Sequence, residues 1–306
     1  MHDFSTFVFE QTPQPRIVVT LQDGDINLDG ILEGLVEDID RLFTHNPELR
    51  SVAVECDAPN VSQKLKVELP IFSGQELHKS AFYQSGFNWI KHKRSDLYPL
   101  VEVQSDARYR HHPLRPPMPE GTVYQRYDGQ AELNVSFRVF DVNKDMERFT
   151  KWMNDPRVAH FWEQAWSQEK LLEFAQERLA DSHIVPLIGE FNGQPFGYIE
   201  AYWVTEDRLG PYYDVAAFDR GIHLLVGEDA FRGPKFFNCW MRAISHYLFI
   251  DDARTQRIVL EPRHDNQRLF NRIVPMGYNK CFEFNFPHKR SALLMLERGA
   301  FFEEQW

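Results

Sequence analysis

Apolar and polar positions change period repeatedly along the chain, and each change predicts an element. Arg16-Ile-Val-Val-Thr-Leu21 is an apolar, β-branched run that predicts a strand. Ile31, Leu32, Leu35, Val36, Ile39 and Leu42 follow the helical repeat and predict a helix started by Asn27 or Asp29. Ser51–Cys56 and Lys64–Leu69 predict two further strands. The second alternates, with Leu65, Val67 and Leu69 on one face and Lys64, Lys66 and Glu68 on the other. Between Ala107 and Gln130 the periodicity stops and Pro113, Pro116, Pro117 and Pro119 crowd together, which predicts an extended connector. The expected division is an α/β structural or dimer-forming part over 1–107, a proline-rich linker over 108–130, and a second α/β domain over 131–306.

The last part is the most ordered. Leu133–Phe140 alternates as a strand, and Asn143 or Asp145 starts a helix through Met146, Phe149 and Trp152. A second helix runs from Ser167 to Ala180. Strands at Ile184–Phe191 and Phe196–Val204 flank Asn192-Gly193, a strong hairpin signal. A strand at Gly221–Gly227, a helix over Lys235–Ile250, a strand at Arg257–Glu261 and a short helix after Asp265-Asn266 follow. Tyr278–Phe286 and Arg290–Glu297 close the order β-α-α-β-β-β-α-β-α-β-β.

Composition narrows the function classes. The 306 residues carry a net charge of −11, which argues against phosphate-dominated binding to nucleic acid or an anionic membrane. With 14% aromatic and 43% hydrophobic residues the chain has ample material for a core. No uncharged apolar run approaches the ~20 residues of a membrane span, and the start has no export-signal pattern, so a cytoplasmic protein is expected. Cys56, Cys239 and Cys281 are too scattered for a disulfide framework or zinc site. The adjacent His111-His112 has no third ligand nearby, so no metal is expected.

One segment invites chemistry. Gly221-Ile-His-Leu-Leu-Val-Gly227 leads through a short loop to Arg232-Gly-Pro-Lys235, where a helix begins. A helix N-terminus offers free amides and a positive dipole end to pyrophosphate. Arg232 and Lys235 add charge there, Gly233 permits close approach, and Pro234 suits the first helical turn.

This order, with Arg232-Gly233 opening the central helix, resembles the GNAT family of acyl-CoA-dependent N-acyltransferases. Three blocks, Asn154–Trp162, Asp219–Gly227 and Glu261–Asn266, resemble its siderophore-biosynthesis branch, with the aerobactin-type N-hydroxylysine acetyltransferases and the mycobactin-type lysine acyltransferases. The likeness covers about residues 130–300. Residues before 108 lie outside it, although Phe82–Phe87 is similar to Pro275–Tyr278 and hints at a degenerate partial copy.

The resemblance implies a mixed central sheet flanked by helices, acetyl-CoA or succinyl-CoA as donor, and an N-hydroxylated lysine or diamine as acceptor. It also implies functional coupling to an amine monooxygenase and a siderophore synthetase. The product is a hydroxamate, and no metal takes part. A backbone N–H near Leu225, Val226 or Gly227 would hold the oxyanion, with Asn266 also on the cofactor side. His223 would act as general base. Glu261 would orient His223 or hold the substrate's cationic end, and His264 is its rival. Trp162 would line the substrate channel or pack as a buried staple. Asp219 would attract an ammonium group or pair with Arg220, and Asp265 or Asn266 would cap the next helix. Two features depart from the family pattern: Lys235 and Phe237 fill positions usually small, and the tyrosine that protonates the leaving thiolate is replaced by Ile273.

Overall fold

The structure, a computed structural model, describes residues 7–10, 16–19, 28–56, 63, 72–73, 76–86, 89–105 and 110–304. Asn27, Phe87 and the strand expected at Lys64–Leu69 lie outside the described residues. The chain divides into two compact units, Met1–Asn88 with Phe302–Glu304, and Trp89–Phe301.

In the first unit, β1 (Phe7–Glu10), β2 (Arg16–Val19), β3 (Ser51–Cys56), β4 (Phe72–Ser73) and β5 (Glu76–His78) form a sheet in the order β1-β2-β3-β5-β4. α1 (Leu28–His45) buries Leu35, Val36, Ile39 and Phe43, and α2 (Lys79–Gln84) adds Phe82 and Tyr83 to that core.

The second unit holds a hairpin of β6 (Glu102–Ser105) and β7 (Arg110–Pro113), followed by β8 (Thr122–Asp128) and β9 (Leu133–Val139). Next come α3 (Val142–Met153), α4 (Pro156–Trp162), α5 (Gln168–Ala180), β10 (Ile184–Phe191), β11 (Gln194–Trp203) and β12 (Arg220–Val226). α6 (Pro234–Asp251), β13 (Arg257–Leu260), α7 (Gln267–Ile273), β14 (Asn279–Asn285) and β15 (Arg290–Glu297) complete it. One eight-stranded mixed sheet runs β14-β15-β13-β12-β11-β10-β9-β8. Among the described residues, no helix is long and apolar enough to cross a membrane.

Three local expectations change. The proline-rich stretch is not only a connector: Thr122–Asp128 pairs with β9 as the edge strand of the large sheet, and Arg110–Pro113 pairs with β6. Its prolines lack a regular period, yet Pro113 itself sits within β7 opposite Glu102. Pro156–Trp162 is a further helix between the two expected ones, because Asp155 caps it through the Arg157 amide and Pro156 occupies its first turn. Asp141, not Asn143 or Asp145, caps α3, while Asp145 is buried and grips Arg138 through both oxygens at 2.6 and 2.7 Å. The Asn192-Gly193 turn is as expected, with both residues at positive φ (49° and 75°).

The core positions the site. Met146, Phe149, Trp152, Leu171 and Phe174 of α3 and α5 pack against Ile188, Tyr198 and Leu225 on one face of the sheet. Each such buried side chain contributes about 1.5–3 kcal/mol through burial. Glu200 and His223 sit on this same face, by the two-residue alternation from Tyr198 and Leu225.

Candidate active site

β12 pairs with β13 in parallel only at Arg220↔Ile258 and Gly221↔Val259, and beyond that the strands diverge. A cavity of about 640 Å³ opens in the gap, lined by Ile222–Val226 on one strand and by Leu260–Arg263 after the other. Phe161, Trp162 and Phe174 give it aromatic walls, so Trp162 both lines the cavity and packs against the helical core.

The divergence narrows the oxyanion donors. Gly227 N–H donates to Phe196 O at 2.9 Å, and β11 pairs with β12 through Val226. In an antiparallel ladder only alternate residues exchange bonds, so Leu225 and His223 belong to β11 while Val226 and Leu224 face the gap. Val226 O, on that open edge, accepts from Arg157 Nη1 at 2.9 Å. The amides of Leu225 and Gly227 are therefore spoken for, and Val226 N–H is the one aimed at the opening. Gly227 is needed for another reason: a Cβ there would meet the buried Trp152 ring at 2.2 Å.

His223 lies between two carboxylates. Its Nδ1 donates to Glu200 Oε2 and its Nε2 to Glu261 Oε1, both at 2.9 Å. Glu200 is also reached by Tyr198 Oη at 3.1 Å and Arg178 Nε at 3.3 Å. Glu261 accepts from Tyr202 Oη at 3.0 Å and Arg208 Nη2 at 3.2 Å, while Lys289 Nζ donates to its backbone oxygen at 2.9 Å. Ionised carboxylates only accept hydrogen bonds, so the ring between them carries both protons. Burial alone would lower the His223 pKa, but the Glu261 charge and the bonds to Glu200 and Glu261 push it up to about 10. Burial would raise both glutamates, and the charge and hydrogen bond of His223 instead hold them below the ordinary range. A carboxylate on each ring nitrogen favours the imidazolium at neutral pH. A ring so protonated has no lone pair for a substrate proton, which argues against the expected role of general base.

A second clamped histidine stands beside it. His183 Nδ1 bonds Asp181 at 2.5 Å and its Nε2 lies 3.9 Å from Asp207. Burial works against its charge, but the Asp181 bond and the nearby Asp207 carboxylate raise its pKa to about 9.

The other end of the cavity meets the start of α6. Gly233 precedes the helix at φ 121°, with open space around it and no side-chain cap. Phe237 N makes the first helical bond, to Gly233 O at 3.0 Å, so the Lys235 and Phe236 amides ahead of it lack helical acceptors. Arg232 and Gly233 line the cavity, whereas the Pro234 ring and the Lys235 side chain are exposed outside it. Asn266 lines it and also caps α7 through the Leu269 amide.

Two expected site residues lie elsewhere. Asp219 is buried among Arg257 Nη2 at 2.7 Å, Tyr213 Oη at 2.8 Å and the Ala216 amide, which saturates its oxygens and keeps it from any ammonium group. Nor does it pair with Arg220, whose Nη1 bonds Asp251 at 3.0 Å. His264 is tied by its backbone to Arg290 O and stays outside the cavity, while Asp265 pairs with Arg263. Sequence reasoning missed Glu200, Arg157, Arg178, His183 and Arg208. Glu200 had a signal, a lone carboxylate in the apolar run Phe196–Val204. Ile273 is core, and among the described residues no tyrosine lines the cavity.

The GNAT acetyltransferase domain family matches residues 141–286. Over 278 residues the chain is 42% identical to the N(6)-hydroxylysine O-acetyltransferase of Escherichia coli, covering 88% of this chain and 85% of that protein. It is 37% identical over 216 residues to the N(5)-hydroxyornithine:cis-anhydromevalonyl coenzyme A-N(5)-transacylase of Beauveria bassiana, covering 66% of this chain and 46% of that protein. A solved aminoglycoside acetyltransferase in complex with coenzyme A shares the fold, with a TM-score of 0.51 at 20% identity over 56% of this chain and 99% of that one. With its mixed sheet, its divergent central strands and relatives matching nearly its whole length, the chain belongs to the GNAT acyltransferase family.

Proposed function

We propose that this protein transfers an acyl group from acyl-CoA to the hydroxylated side-chain nitrogen of a lysine or diamine, forming a hydroxamate for a siderophore. The observation that carries this reading is the Glu200–His223–Glu261 array in the wall of a cavity that also reaches the uncapped start of α6. The names of the relatives support the hydroxylated acceptor. An amine monooxygenase would supply that acceptor and a siderophore synthetase would consume the product, in the cytoplasm.

The donor fits the residues present. The Lys235 and Phe236 amides, Gly233 and the Arg232 guanidinium suit a pyrophosphate. The thioester supplies an activated carbonyl and a thiolate leaving group. Val226 N–H holds the oxyanion that forms on attack. The attacking nitrogen becomes cationic and strongly acidic, so a weak base suffices, and Glu261 takes the proton while His223 bridges it to Glu200. The His223–Glu261 pair then returns a proton to the thiolate, the task left open by Ile273.

Thiol release should be measured with acetyl-CoA or succinyl-CoA and N-hydroxylysine, against lysine at neutral pH, with the ferric hydroxamate colour identifying the product. Release with N-hydroxylysine is expected, with kcat reduced about 10²–10⁴-fold in Glu261→Gln. Equal release with lysine, or none with any acyl-CoA, would refute the reading.

A further inference from the structure

Several cations share the Glu261 carboxylate. His223 Nε2 and Arg208 Nη2 meet on the same oxygen, Glu261 Oε1, at 2.9 and 3.2 Å. Lys289 Nζ is 3.9 Å from that oxygen as well. One carboxylate thus faces three cations, with Glu200 answering His223 from the other side and the Asp207 charge also acting on Arg208 and Lys289. Arg208 lies in the loop after β11, with its side chain 44% exposed. Among the described residues its guanidinium makes no hydrogen bond except the one through Nη2, and it rests over the Phe286 ring at 5.4 Å. The same ring carries Lys289 Nζ at 5.5 Å. Arg208 also lines the cavity, and its guanidinium keeps donors in a planar fork beyond the one given to Glu261.

Such a fork matches a carboxylate. It shares an oxygen with the reacting group, so its distance from His223 cannot exceed the two bonds laid end to end, and the carbon chain of a lysine-type acceptor can bridge that distance. We propose that Arg208 is the specificity-determining residue that holds the α-carboxylate of an amino-acid acceptor, so that N-hydroxylysine is preferred over the decarboxylated N-hydroxycadaverine. This rests on the hydroxamate reading above. Arg178 is the less suited candidate, because its guanidinium lies over Phe174 at 4.6 Å and its side chain is only 28% exposed.

The test compares kcat/KM for N-hydroxylysine and N-hydroxycadaverine in the parent protein, Arg208→Ala and Arg208→Lys. The parent should favour the amino acid by roughly 10–100-fold, the scale of a charged hydrogen-bonded pair. Arg208→Ala should bring the ratio to about 1, chiefly by raising KM for N-hydroxylysine, and Arg208→Lys should restore part of it. A ratio that survives Arg208→Ala, or a parent that uses both acceptors equally, overturns the proposal. A role only through Glu261 would lower kcat for both acceptors alike and also overturns it. Calorimetric binding of the same two compounds keeps the inference separate from the function: without turnover, selective binding lost in Arg208→Ala supports Arg208 while the hydroxamate reading fails, and binding without selectivity sinks both.

Discussion

Replacing Glu200 by Gln tests whether carboxylates hold His223 charged. Glu200 Oε2 is 2.9 Å from Nδ1 and its side chain is only 4% exposed, so solvent screens the pair little. A glutamine oxygen can still accept from Nδ1, and what disappears is the charge. A hydrogen bond to an ionised group is worth about 1.5–3 kcal/mol and a neutral one about 0.5–1.5, a difference of about 1–2 kcal/mol. At 1.36 kcal/mol per pH unit, the His223 midpoint should fall from about 10 to about 9. The assay is a pH titration of the imidazole nitrogens by NMR, with the His223 signals assigned by their loss in His223→Gln. The parent ring should remain doubly protonated from pH 6 to pH 8.5, with the variant titrating earlier. A parent midpoint near the ordinary 6.5 would refute the clamped imidazolium and restore His223 as a general base. An unmoved midpoint in Glu200→Gln would show that Glu261 alone sets the charge.

The same array predicts a pH window for stability. His223 is raised when folded, so its contribution is complete below about pH 6.5 and fades as pH climbs through about 10. Glu200 and Glu261 are depressed, so theirs is complete above about pH 4.3 and fades as pH falls through their folded values. Urea midpoints should be lower at pH 10.5 than at pH 8, and His223→Gln should flatten that alkaline fall. Gly227→Ala forces a methyl into the Trp152 ring and should cost about 1–3 kcal/mol, read as a lower Tm. Asp219→Asn leaves half-buried Arg257 without its counter-charge and should cost about 1–2 kcal/mol by urea denaturation, while KM for both substrates stays near the parent value.

Much of the frame was legible along the chain. Periodicity placed the helices containing Phe149, Phe174 and Trp240, because each must bury one face, and Asn192-Gly193 announced its hairpin through backbone conformation alone. The blocks around His223, Glu261 and Arg232 pointed to residues that do line one cavity. Pro156–Trp162 was missed because a seven-residue helix is too short to display a period, and Thr122–Asp128 because a strand's pairing partner is not written in its own residues.

What the sequence by itself determined is the order of the main strands and helices after Leu133, the family, and His223 and Glu261 at the cavity wall. Only the tertiary structure sets the electrostatic surroundings of His223. Local sequence shows one histidine with an ordinary affinity for a proton, whereas Glu200 and Glu261, distant along the chain, close on both ring nitrogens when β11, β12 and β13 assemble. It likewise moved Asp219 out of the site and brought Arg208 into it. Charge is a property of the surroundings in space, and those surroundings exist only once the strands have met.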